Sequence, residues 1–233
     1  MKVKDKENEK KSAQQEDTTR DLIKELGILT TGPDFESDIQ YINIIGSVEG
    51  HTVLPADNKA TKYEHLIPQL IAVEENPKLK GMLVILNTVG GDVEAGLALA
   101  EMISTLSKPT VSLVLGGGHS IGIPLAVATD YSFIAKTATM TLHPIRTTGI
   151  VITSETTFDY MRKTQERVID FIEEHSGAGR EEILRLINCN DNMSNDVGTI
   201  LFGREAVDAG IIDQVGGVSD AIKELRRRIE KNN

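Results

Sequence analysis

Cysteine is almost missing from this chain: Cys189 is the single thiol in 233 residues. One thiol can neither close an internal disulfide nor build a multi-thiolate metal site, so nothing demands an oxidising compartment. A small buried hydrophobe is the expected role for Cys189. Tryptophan is absent and aromatic residues make up 4%, which leaves few surfaces for stacking single-stranded bases. Positive charge is in the minority, 25 Lys and Arg against 35 Asp and Glu, for a net charge of −10. Such a surface repels phosphate backbones and anionic lipid, so no nucleic-acid partner is expected. No long apolar run occurs either. Residues Met1 to Arg20 are dense in Lys, Glu, Gln and Asp, and neither a secretory leader nor a membrane anchor is written there. Cytoplasm is the expected location and no membrane insertion is expected. No His-Glu-x-x-His, P-loop or carboxylate cluster with ligand spacing occurs, so neither metal nor cofactor is expected.

What is present suits one globular core. Hydrophobic content of 39% and charged content of 26% are ordinary for a water-facing domain, and two complete domains in this length would each bury little. The charge-rich start predicts a flexible extension over residues 1–38, with a short helix from Asp21 to Leu26, followed by a domain over 39–233. Ile39 to Ile45 is β-branched and apolar and reads as a covered strand closed by Gly46. Leu66, Leu70 and Val73 fall at helical spacing from Tyr63, with Pro68 either in the first turn or kinking the helix and Pro77 barring continuation. Gly81 to Asn87 reads as a second strand, Val93 to Leu106 as a helix and Thr110 to Leu115 as a third strand. A helix over Ser120 to Thr129, strands over Tyr131 to Ala135 and Ala138 to Leu142, and helices after Thr153 and from Ser219 complete the pattern. Strands alternating with covering helices imply an α/β domain with a largely parallel sheet.

Chemistry concentrates at a few turns. Ser120 lies in Gly118-His119-Ser120-Ile121-Gly122, after a glycine run and an apolar strand. Glycines there allow close backbone approach, and a helix start offers N–H groups to a developing oxyanion. The same pentapeptide is compatible with Ser120 as an ordinary helix N-cap. Asn87-Thr88-Val89-Gly90-Gly91 also ends a strand before a helix, so in a parallel sheet its glycines open at the same edge as Ser120. The N–H groups of Gly91 and Ile121 are the candidate oxyanion donors. His143, between a strand and Pro144, is biased to an extended loop position and is the candidate base, with a structural histidine as the plain alternative. His119 adjoins the serine and is expected to point away from it. An α/β-hydrolase would order its triad serine, acid, histidine, and here the histidine follows the serine closely.

Taken in order, Ile44-Ile45-Gly46-Ser47-Val48, Asn87-Thr88-Val89-Gly90-Gly91, the Ser120 turn, His143-Pro144 and Glu205 to Asp213 resemble the landmarks of the ClpP-like serine peptidases over residues 39 to 220. Within that family the likeness is to its translocation-enhancing branch. The resemblance implies a ClpP/crotonase-like spiral of β-β-α units with a protruding handle helix, placed after Thr153. It implies a Ser-His-Asp triad, peptide-bond hydrolysis of polypeptide substrates, and a homo-oligomer of stacked rings. Ser120 matches the family nucleophile, His143 the base, and Gly91 and Ile121 the oxyanion donors. The family aspartate precedes the Glu205 segment; ungapped counting lands on Gly198, so a small gap makes Asp196 the acid, with Asp191 as the alternative. Thr88-Val89 stands where the family has Ser-Pro, and Pro144 directly follows the histidine. An ATPase unfoldase is a candidate partner, although the N-terminal segment bears little likeness to the family's axial loops. A crotonase-type acyl-CoA hydratase or isomerase, and a ClpP-like ring protein without catalysis, are the competing readings.

Overall fold

Residues 37–146, 154–189 and 197–232 are described by the computed structural model, and statements below refer to them. Strand β1 spans Ile39–Glu49 and β3 spans Gly81–Gly91, joined through β2, Ala60–Lys62, and helix α1, Tyr63–Glu75. Helix α2, Val93–Ser104, leads to β4, Thr110–Gly118, and helix α3 covers Gly122–Val127. Strands β5, Ser132–Ile134, and β6, Thr139–Leu142, precede the long helix α4, Ser154–His175, and α5, Arg180–Asn188. The chain then runs through β7, Thr199–Phe202, α6, Gly203–Asp208, β8, Gln214–Val215, and α7, Val218–Asn232.

The main sheet orders its strands β2-β1-β3-β4-β5-β8, and β6 pairs with both β4 and β7. Every pairing is parallel except that of β6 with β7. The expected α/β architecture with a largely parallel sheet is therefore the one observed. Strand alternation explains why the apolar runs are continuous: a sheet covered on both faces buries both sets of side chains. Ile39, Leu83, Val111, Leu113 and Phe133 pack under Ala221, Leu225 and Ile229 of α7. The intervening residues Ile42, Ile44, Val84, Leu86 and Val114 face the opposite layer, with Leu66 and Leu70 of α1, Leu99 and Ile103 of α2, and Leu125 of α3.

Three strands outrun the sequence reading. Gly46 does not close β1; it carries a bulge between Gly46 and Ser47, and the Ser47 N–H donates to the Lys59 carbonyl at 2.9 Å, which brings β2 alongside. Strands β3 and β4 continue through their glycines because pairing across the sheet persists there, Val48 opposite Gly91 and Thr88 opposite Gly118. Pro68 sits within the second turn of α1 rather than the first. Asp92 caps α2, its Oδ1 accepting the Ala95 N–H at 2.8 Å, an ordinary aspartate role. Cys189 is half-buried and free instead of deep in the core, because α5 ends just before it. The helix expected at Asp21 to Leu26 lies outside the described residues. Among the described residues, no helix is long and apolar enough to cross a membrane.

Candidate active site

Helix α3 is shorter than its apolar run suggested. It begins at Gly122 with Ile121 as its cap, and Ser120 stands before it at φ +56°. Ser120 is thus not the helix N-cap. It is the single non-glycine residue with positive φ among the described residues, a backbone state that L side chains adopt at a cost of about 1–2 kcal/mol. Strain of this kind persists only where the surroundings over-determine it. Here the Ser120 N–H donates to the Thr141 carbonyl at 2.9 Å, and the His119 N–H donates to the Thr88 carbonyl at 3.1 Å. The His119 and Ser120 carbonyls then accept the N–H groups of Gly122 and Ile123, each at 2.9 Å. Of the N–H groups from Ser120 to Ile123, that of Ile121 alone is left without an acceptor among the described residues.

The second glycine turn meets the first directly. A Cβ on Gly90 would lie 2.8 Å from both the His119 carbonyl oxygen and the Ser120 Cβ, and 3.4 Å from the Ser120 Oγ. Thr88, buried at the end of β3, ties the turn together: its hydroxyl donates to the Gly46 carbonyl at 2.6 Å and accepts the Gly90 N–H at 3.0 Å. The Asp92 N–H bonds the Val48 carbonyl at 2.9 Å.

Ser120, Ile121, Gly91 and His143 line one cavity of about 140 Å³. Ile123, Leu142, Ile145, Val168, Ile172 and Ile187 make its walls aliphatic, while Arg146 and Gln165 contribute polar atoms. The Gln165 Oε1 accepts the Ile145 N–H at 2.7 Å and so holds the chain after His143 against α4. His143 Nδ1 lies 2.7 Å from the Pro144 carbonyl oxygen. A carbonyl can only accept, so Nδ1 carries the proton and the neutral ring keeps its lone pair on Nε2. Among the described residues, no hydrogen bond joins the Ser120 hydroxyl to the imidazole.

Asp196 and Asp191, the sequence candidates for the acid, lie outside the described residues. Gly198 is described, and a Cβ there would fall 2.9 Å from the His143 Cβ. The segment just after Asp196 in sequence therefore abuts the histidine, and the Gly198 N–H donates to the Cys189 carbonyl at 2.8 Å.

One participant was not singled out from sequence. Thr141 accepts the Ser120 N–H through its carbonyl, and its hydroxyl lies 2.8 Å from His119 Nδ1. His119 does point away from the serine hydroxyl, but toward β6. Burial lowers the pKa of its imidazole from the usual histidine value, and the nearby His143 imidazole adds to the effect. Nothing local in the sequence marks Thr141, because both of its bonds reach across about 20 residues. Among the described residues, no three His, Cys, Asp or Glu side chains gather as a metal site would require.

Comparison with known proteins gives the lineage and the fold. The family model described as Clp protease matches residues 36–219. The translocation-enhancing protein TepA of Halalkalibacterium halodurans is 56% identical over 210 residues, covering 90% of this chain and 82% of that protein. The ATP-dependent Clp protease proteolytic subunit 1 of Chlamydia muridarum is 28% identical over 140 residues, covering 58% of this chain and 69% of that protein. Among solved structures, a ClpP1 mutant from Listeria monocytogenes superposes with a TM-score of 0.63 at 20% identity, over 78% of this chain and 94% of that one. That likeness carries the fold, and the first two carry the lineage: the chain belongs to the Clp protease family.

Proposed function

We propose that this protein is a serine endopeptidase that cleaves polypeptides through an acyl-enzyme on Ser120. The observation that carries the proposal is the strained Ser120, at φ +56°, sharing one aliphatic-walled cavity with His143, Gly91 and Ile121. In this reading the Ser120 Oγ attacks the carbonyl carbon of the scissile bond and its proton passes to His143 Nε2, the nitrogen that the Pro144 contact leaves with its lone pair. The N–H groups of Gly91 and Ile121 receive the oxyanion, each such donor being worth roughly 3–4 kcal/mol where one has been removed from a protease. Collapse of the tetrahedral intermediate returns the proton to the leaving amine, and water then hydrolyses the Ser120 ester by the reverse sequence. Asp196, or Asp191 in its place, would hold the imidazole as it becomes charged.

The cavity suggests what is cut. Its volume of about 140 Å³ approaches the roughly 150 Å³ that accepts a benzene-sized guest, and its aliphatic walls favour one apolar side chain beside the scissile bond. The family likeness supports a homo-oligomeric ring chamber in the cytoplasm, and the name of the TepA relative supports a link to protein export or to turnover of its components. An activity-based fluorophosphonate should label the full-length assembled protein at Ser120, and Ser120→Ala should abolish both labelling and cleavage of a peptide with an apolar residue before the cut. Unlabelled, inert assembled protein would overturn the proposal.

One observation favours a second reading. Among the described residues it is the Pro144 carbonyl that receives His143 Nδ1, as suits a ClpP-like ring protein without catalysis. The same labelling experiment separates the two.

A further inference from the structure

Strand β6 touches the nucleophile turn at two consecutive residues and ends at the candidate base. The Thr141 carbonyl accepts the Ser120 N–H at 2.9 Å, and the Thr141 hydroxyl meets His119 Nδ1 at 2.8 Å. His143 follows Thr141 by two residues, with the fully packed Leu142 between them. β6 is itself fixed on both sides: Thr139 pairs with Gly117 of β4, and Thr139 to Leu142 pair with Phe202 to Thr199 of β7. The separation of serine and imidazole is therefore set where Thr141 docks on His119 and Ser120.

We propose that His119 and Thr141 form a positioning latch that fixes Ser120 relative to His143. The inference rests on the peptidase reading for its kinetic consequence, and on the two bonds above for its geometry. His119 suits the role better than a charged side chain would. Its ring is partly buried, which lowers its pKa, and its Nε2 edge packs against Gly117, where an added Cβ would lie 2.6 Å away. With glycine at 117 there is room for the ring, which reaches Thr141. A neutral imidazole can accept from the threonine hydroxyl or donate to it, so the bond forms in either tautomer. The latch acts through Ser120 and touches no substrate.

Thr141→Val removes the hydroxyl while keeping the shape and the carbonyl. It should lower kcat roughly tenfold with KM within about twofold, since small misplacements of a reacting group act on the chemical step. Thr141→Ser restores the hydroxyl and should restore kcat. Solid-state 15N spectra of histidine-labelled full-length protein give an independent readout: the His119 Nδ1 signal should shift in Thr141→Val and not in Thr141→Ser. His119→Asn, which can still reach Thr141, should retain more kcat than His119→Ala and serves should the valine variant fail to fold. An active enzyme whose kcat ignores both Thr141→Val and His119→Ala would overturn the latch and leave the peptidase reading intact. Inert wild-type protein whose His119 signal still responds to Thr141→Val would overturn the peptidase reading and leave the latch geometry intact.

Discussion

Around Ser120 the chain is held by backbone against backbone, whereas the long helix α4 on the other side of the cavity is held by apolar contacts on one side and solvated charge on the other. In the first region a Cβ on Gly91 would lie 2.2 Å from the Val48 carbonyl oxygen, and the residues from Ile121 to Val127 are all buried. In the second, Ile169 and Ile172 are buried, while Phe158 and Tyr160 near the start of the helix are 68% and 60% exposed. Arg180 reaches Glu166, Asp170 and Glu173 along the outer side of α4, and Arg167 pairs with Glu94 of α2. The difference teaches where precision is stored. The role proposed for Ser120 needs sub-ångström placement, which close packing of main chain enforces. A helix that carries cavity wall at one end and exposed aromatics at the other tolerates far more variation.

The largest test of that contrast is a pair of glycine substitutions. Gly91→Ala places a methyl group against main chain at φ +152°, and we expect a loss of about 4 kcal/mol or more in denaturant unfolding. Gly179→Ala, at the start of α5, meets no atom within 4 Å and should change stability by less than about 0.5 kcal/mol. Comparable losses from the two would erase the distinction. Next in size is a pair of apolar truncations: Leu125→Ala, at a fully buried site, should cost about 2–5 kcal/mol. Phe158→Ala, at a largely exposed site, should leave the unfolding midpoint almost unchanged. A smaller loss for Leu125→Ala than for Phe158→Ala would reverse the assignment of the core.

The smallest effect concerns the charged side of α4. The Glu94 carboxylate receives both Arg167 guanidinium nitrogens, at 2.6 and 3.0 Å, and these bonds hold its pKa below the ordinary value of 4.5. A carboxyl whose folded pKa is depressed contributes stability above its unfolded pKa and loses it as pH falls through the folded value. Both side chains are about half exposed, so solvent screening limits the contribution to at most about 1 kcal/mol. Glu94→Gln should be slightly less stable than the parent at neutral pH and equal to it at pH well below the carboxylate range. A gap that widens with acid would contradict the sign of this pairing.

Sequence alone carried the elements whose pattern is long. Ile39 to Ile45, Gly81 to Asn87 and Thr110 to Leu115 are apolar enough to be read as covered strands, and Leu66, Leu70 and Val73 repeat at the period of one helix face. Both glycine turns and His143 stood out in the sequence for the same reason, since each lies at the end of a readable strand, and the structure brings Gly91, Ser120, Ile121 and His143 to one cavity. The short elements were not: β2 has 3 residues and β8 has 2, too few for any period to register. Helix α5 lay hidden behind its glycine-rich approach.

What the sequence by itself determined is therefore the alternation of strands and helices and the order of reactive residue types along it, because burial writes a periodic signature into neighbouring positions. Only the tertiary structure decided that Ser120 stands in the left-handed region ahead of its helix, that Thr141 grips the turn from β6, and that Gly198 abuts His143. Those relations are made by hydrogen bonds and contacts between segments remote in the chain, and such contacts leave no local pattern to read.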